Sequence, residues 1–195
     1  MRLLAFGDSF VAGAGDPDHL GWIGRALAGR RDVTLYNLGV RRETTGDVAA
    51  RWRREAQPRL TDAEPNRIVF SFGNNDCHVE PGEQAPRVAP AQALKNAQAM
   101  LTEAGGLCPV LLVGPPPVAN RTQWSRTRAL NASLQALCGR LKVPFIDVHG
   151  RLEGSEVWLE EVAAWDGAHP GAAGYQLMAD LVSGHPAWQA FLDPR

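Results

Sequence analysis

The stretch Leu3 to Gly13, LLAFGDSFVAG, delivers a serine to the end of a short apolar run. Far along the chain, WDGAHP (Trp165 to Pro170) sets an aspartate and a histidine three residues apart. A serine hydroxyl is a weak nucleophile until a base takes its proton, and histidine is the side chain whose ordinary pKa suits that task near neutrality. The spacing of Asp166 and His169 lets a carboxylate hold one ring nitrogen while the other faces Ser9. Two more segments carry donors that could stabilise a developing oxyanion: Asn37-Leu38-Gly39 and Gly73-Asn74-Asn75-Asp76. Taken singly, each has an ordinary explanation, since Gly, Asp, Asn and Ser are turn and N-cap residues. Asp8 is expected to brace the Ser9 turn through backbone amides, and Asp76 to be a structural acceptor.

Chemistry assembled from such distant segments needs a scaffold. Five short apolar runs punctuate the chain at 3–6, 33–38, 67–72, 109–114 and 144–148. Their near-continuous hydrophobicity predicts parallel strands buried on both faces. Helical spacing is present at 20–28, 45–56, 91–104 and 127–141, the last with Leu130, Leu134, Leu137 and Leu141 on one stripe. A final helix is expected over 171–182, just after Pro170, and the segment holding Trp158 reads as a loop. The alternation predicts one domain over residues 1–195, a three-layer α/β/α sandwich on a five-stranded parallel sheet of flavodoxin-like type. In such a sheet the residues after each strand gather along one edge. That edge would collect Ser9, the Gly39 amide, the Asn75 amide and the Asp166–His169 pair: nucleophile, oxyanion donors, and a base with its orienter.

The bulk properties narrow the partners. The chain has 195 residues, a formal net charge of −1 and 45% hydrophobic residues, so no electrostatic case exists for nucleic acid. No segment nears the ~20 apolar residues of a membrane span, and the four-residue apolar run after Arg2 is too short for a signal peptide. No stable membrane insertion and a cytoplasmic location are therefore expected. Cys77, Cys108 and Cys138 are widely spaced without a C-x-x-C pair, which predicts free thiols, buried at Cys108 and Cys138. His19, His78, His149 and His185 are isolated and read as surface or loop histidines. DPDH (Asp16 to His19) has no matching second cluster, so no metal is assigned. The first turn lacks the glycine-lysine pattern of a phosphate loop, and Gly13-x-Gly15 lacks a third glycine, which disfavours nucleotide binding.

Gly7-Asp8-Ser9, Asn37-x-Gly39, Gly73-x-Asn75-Asp76 and Asp166-x-x-His169-Pro170, in that order and each after an expected strand, resemble the four blocks of the GDSL or SGNH hydrolase family. The resemblance covers nearly the whole chain. It implies Ser9 as nucleophile, His169 as general base, Asp166 as its orienter, and Gly39 and Asn75 in an oxyanion hole with the Ser9 amide. It implies a cofactor-free esterase or lipase acting on a small-molecule ester through an acyl-enzyme. Carbohydrate O-deacetylation is the second reading, and a catalytically silent binding module the third. One departure stands out: where the family often has a second glycine, this chain has Arg42, beside Arg41. Arg42 could pair with Glu43 or Asp47 as a solvated arginine, or lie at the pocket mouth and favour anionic substrates. Trp165 is expected near the site. Pro116, in the rigid GPPPV segment, is expected to shape one wall of the cleft. His169 would lie at the positive end of the helix after Pro170, which disfavours imidazolium, with Asp166 offsetting it.

Overall fold

The computed structural model describes residues 1–193. In chain order the elements are β1 (Arg2–Gly7), α1 (Ser9–Ala12), α2 (Gly21–Ala26), β2 (Thr34–Gly39), α3 (Thr45–Ala56), β3 (Asn66–Ser71), α4 (Asn74–Cys77) and α5 (Pro90–Gly105). They continue with β4 (Val110–Val113), α6 (Arg121–Leu141), β5 (Phe145–Ile146), α7 (His149–Leu152), α8 (Glu156–Ala164), α9 (Ala172–Ser183) and α10 (Pro186–Leu192). The five strands form one sheet in the order β2-β1-β3-β4-β5, and every pairing is parallel. This is the flavodoxin-like order, with the switch point between β1 and β3.

Strand residues alternate between two cores, as a pleated sheet covered on both faces requires. Leu3, Ala5, Val69, Leu111 and Val113 face a layer built from α1, α2, α8, α9 and α10. Leu4, Phe6, Ile68, Phe70 and Leu112 face α3, α5 and α6. Tertiary packing holds the short helices in place. Helices of six or seven residues such as α2 and α10 are marginal on their own, yet Trp22 and Trp188, both buried, meet edge to face with ring centres 6.3 Å apart.

Local chemistry sets the longer helices. Thr44 and Asp47 form a reciprocal capping box at the start of α3. Asn120 caps α6 by accepting from the Thr122 and Gln123 amides, which starts that helix six residues before its leucine stripe suggested. The segment holding Trp158, expected as a loop, is helix α8. Its N-cap Ser155 accepts from the Trp158 amide, but only Trp158 and Val162 are buried, too thin a stripe to read from sequence. Among the described residues no helix is long and apolar enough to cross a membrane.

Candidate active site

The groups singled out as chemical lie at or beyond the carboxyl ends of strands: Asn37 and Gly39 close β2, Ser9 and Asn75 follow β1 and β3, and Asp166 and His169 come after α8. Asp8, directly after β1, caps α1 by accepting from the Phe10 amide at 3.0 Å, so Ser9 opens the helix held in place. Asn37, near the end of β2, turns back: its amide donates to the Val11 carbonyl at 2.8 Å, and its oxygen accepts from the Gly39 amide at 3.1 Å. These bonds tie β2 to α1. A Cβ on Gly39 would fall 2.2 Å from the Ala12 nitrogen, so the glycine permits α1 to sit against the strand. The close approach that requires glycine in this fold is that of helix on strand.

Ser9 Oγ lies 2.6 Å from His169 Nε2, across 160 residues of sequence. On the other ring nitrogen, Asp166 Oδ2 lies 2.7 Å from Nδ1. An ionised carboxylate only accepts, so Nδ1 donates to Asp166 and Nε2 is left to accept from the serine hydroxyl. Asp166 also accepts through Oδ1 from the amides of Ala168, at 3.0 Å, and His169, at 2.9 Å. Burial works against ionisation of Asp166, but the His169 amide, its ring and the Ala168 amide together hold the carboxyl below its ordinary value. Burial pulls the His169 imidazole below its ordinary value; Asp166 opposes this, and the charge of Arg41 adds to it. Burial thus favours the neutral form of the base. Helix α9 begins only at Ala172, and two of its first-turn amides are engaged by Glu161: Ala173 donates at 3.3 Å and Gly174 at 2.6 Å. Phe10 and Trp165 flank the histidine, with ring centres 4.9 Å and 5.7 Å away.

Asn75 sits in the first turn of α4 and lines the same cavity as Ser9 and His169, a space of about 370 Å³. Its amide donates to the Glu43 carbonyl at 3.0 Å, which leaves the second amide proton for another acceptor. Among the described residues the Ser9 amide has no hydrogen-bond acceptor. Glu43 is itself clamped: Arg51 Nε donates to both of its carboxylate oxygens, at 2.8 and 2.7 Å. Arg51 Nη2 reaches the Leu38 carbonyl at 2.8 Å and the Gly7 carbonyl at 3.3 Å. One guanidinium therefore ties the ends of β1 and β2 to the loop that holds Asn75. Asp76 accepts from the Thr45 amide at 3.0 Å and is structural, as expected.

Several expectations are corrected by the packing. Pro116 does not line the cavity. Residues 115–118 are buried, and the three proline carbonyls point inward, to His149 (3.2 Å), to the Asn74 amide (2.9 Å) and to the Trp158 indole (2.9 Å). This segment positions α4 from behind. Arg42 pairs with neither Glu43 nor Asp47 but donates to Glu80 at 2.6 Å. Its backbone is left-handed, φ 68°, a region that glycine enters without cost and other residues at roughly 1–2 kcal/mol. His149 is buried in α7, stacked on Trp124, and His185 caps α10. Cys138 is buried and Cys108 only half-buried. Asp16 of DPDH is buried and closed by Arg25 at 2.7 Å.

His78, Arg87, Asn120 and Gln123 line the cavity and carried no signal in the short motifs. They come from the loops after β3 and β4 and the start of α6, where only folding brings them to the rim. Trp165, as expected, is beside the site, and 55% of it is exposed.

A family model described as the GDSL-like Lipase/Acylhydrolase family matches residues 5–177. No curated protein matches the sequence. Among solved structures, a lipase/acylhydrolase from Enterococcus faecalis superposes with a TM-score of 0.77 at 23% identity, covering 96% of each chain. A member of the lipolytic protein G-D-S-L family from Veillonella parvula gives 0.73 at 20% identity, over 93% of this chain and 96% of that one. The acetylxylan esterase Axe2 from Geobacillus stearothermophilus gives 0.75 at 18% identity, over 95% of each. At these identities the likeness is one of fold.

Proposed function

Since the chain belongs to the GDSL-like lipase/acylhydrolase family, we propose that it is a carboxylic ester hydrolase with Ser9 as nucleophile, His169 as general base and Asp166 as the group that orients it. The observation that carries this reading is the relay of 2.6 Å from Ser9 Oγ to His169 Nε2 and 2.7 Å from Nδ1 to Asp166. In the first half-reaction Ser9 Oγ bonds to the ester carbonyl carbon while its proton passes to Nε2. The carbonyl oxygen, now an anion, accepts from the Ser9 amide and from the free proton of the Asn75 amide. Collapse breaks the carbon–oxygen bond to the leaving group, which takes the proton from His169. Water then attacks the acyl-serine by the same route and frees the acid. Gly39 contributes by seating α1; its own amide is engaged by Asn37 at 3.1 Å.

The lining supports small acyl groups. Among the described residues its side chains are Ser, Arg, Asn, His, Gln, Asp and Ala, with no aliphatic residue larger than alanine. A polar wall with an exposed tryptophan beside it also favours a second reading, removal of acetyl groups from carbohydrate, since a sugar presents hydroxyls and one apolar face.

Stoichiometric labelling by a fluorophosphonate, lost in Ser9→Ala, is the expected result, and an unlabelled wild-type protein would mean a silent binding module. On p-nitrophenyl esters the rate should peak at two to four carbons. A maximum at eight or more would point instead to the neighbouring apolar cavity beside Cys77, Val88 and Leu130.

A further inference from the structure

Three guanidinium groups stand at the rim of the Ser9 cavity: Arg41, Arg42 and Arg87. Two are committed. Arg42 donates to Glu80 at 2.6 Å, while Arg87 lies 3.6 Å from Glu80 and 4.0 Å from Asp47 and donates to the Arg42 carbonyl. Among the described residues Arg41 meets no carboxylate within 4.0 Å. Instead its guanidinium carbon lies 6.0 Å from the centre of the Trp165 ring. Arg41 is exposed, and it lines both the Ser9 cavity and a second cavity of about 490 Å³ that Trp165 also lines. An arginine spread over an aromatic face loses little freedom when it binds and still presents its outer N–H fork.

Resting on the esterase reading above, we propose that Arg41, supported by Trp165, is a binding subsite for an oxyanion, a carboxylate or a phosphate, carried on the leaving group of the ester. The side follows from the chemistry. The departing oxygen must take its proton from His169 Nε2, so the leaving group lies on the histidine side of the cavity. Trp165 packs on that histidine, and Arg41 packs on Trp165. The acyl group is then left to the Asn75 side. Arg42, which the sequence alone offers as the anion-binding cation, is already neutralised by Glu80. A bound anion would also relieve the charge with which Arg41 opposes protonation of His169, so binding and base strength would rise together.

The test is a matched pair of acetyl esters, 3-acetoxybenzoate and 3-acetoxybenzamide, whose leaving phenols are similar in size and acidity and differ in charge. The readout is the ratio of kcat/KM for the anionic ester to that for the neutral one. Wild-type protein at low ionic strength should favour the anionic ester, and 0.5 M salt should erase most of the preference. Arg41→Gln should lower the ratio at least fivefold, Arg41→Lys should lower it less, and Arg42→Gln should lower it least of the three. Arg41 is exposed, so these variants should fold, which thermal melts would verify. Hydrolysis of both esters with a ratio unmoved by Arg41→Gln, or with no wild-type preference for the anion, overturns the subsite alone. Wild-type protein that cleaves neither ester overturns the esterase reading, and the subsite with it.

Discussion

At the scale of single residues, two titrations separate the roles around Ser9. His169 must be neutral to accept the serine proton, and burial lowers its imidazole below the ordinary 6.5. The acidic limb of kcat/KM should therefore fall below about 6.5. In Asp166→Asn the raising influence of the carboxylate is gone, so the limb should move lower still while the rate drops by about 10²–10⁴. A limb at or above 7 would contradict the assignment. Asp8 is the second case. Burial, joined by the charges of Asp76 and Glu43 and opposed by the Phe10 amide, raises its carboxyl from 3.8 to about 7. Between pH 4 and 7 the unfolded chain loses this proton and the native one keeps it, so stability falls as pH rises through that window. Asp8→Asn should abolish that slope and stabilise the protein at pH 8 by roughly 2–4 kcal/mol, read from urea titrations across pH. An unchanged slope would show that Asp8 is ionised in the native state.

At the scale of elements, the site depends on how α1 seats against β2. The Gly39→Ala methyl group would meet the Ala12 nitrogen at 2.2 Å, and the strand or the helix must yield. The variant should lose about 1–3 kcal/mol of stability, and more than tenfold in turnover because α1 carries Ser9. Gly105→Ala is the control, since among the described residues nothing lies within 4 Å of its added carbon, and it should be neutral or slightly stabilising. Equal activity in the two variants would remove α1 seating from the account. The sequence made Gly39 visible through its spacing from Asn37. It could not show that the contact demanding glycine is Ala12, because that pairing exists only once β1 and β2 lie side by side. Arg42 was legible in the same partial way. The departure from glycine drew notice to the position, but its left-handed backbone and its partner Glu80, 38 residues away on a loop whose path no local pattern encodes, came only with the fold.

At the scale of the whole molecule, Ser9 and His169 stand 160 residues apart in sequence and meet just past the end of β1. Esterase activity and far-UV circular dichroism should therefore be lost in one transition during urea unfolding. Activity lost well before the dichroism would show that the 165–171 segment opens on its own. The alternating apolar runs and the four chemical blocks determined, without coordinates, the parallel α/β architecture and the nucleophile, base and orienter proposed for it, because strand burial and motif spacing are local properties. Folding decided which side chains share the cavity rim, which rim arginine meets no carboxylate among the described residues, and which way burial and Arg41 push the His169 imidazole. Those outcomes depend on distances between segments far apart in the chain and on the loss of water around them, and neither is written in any short stretch of sequence.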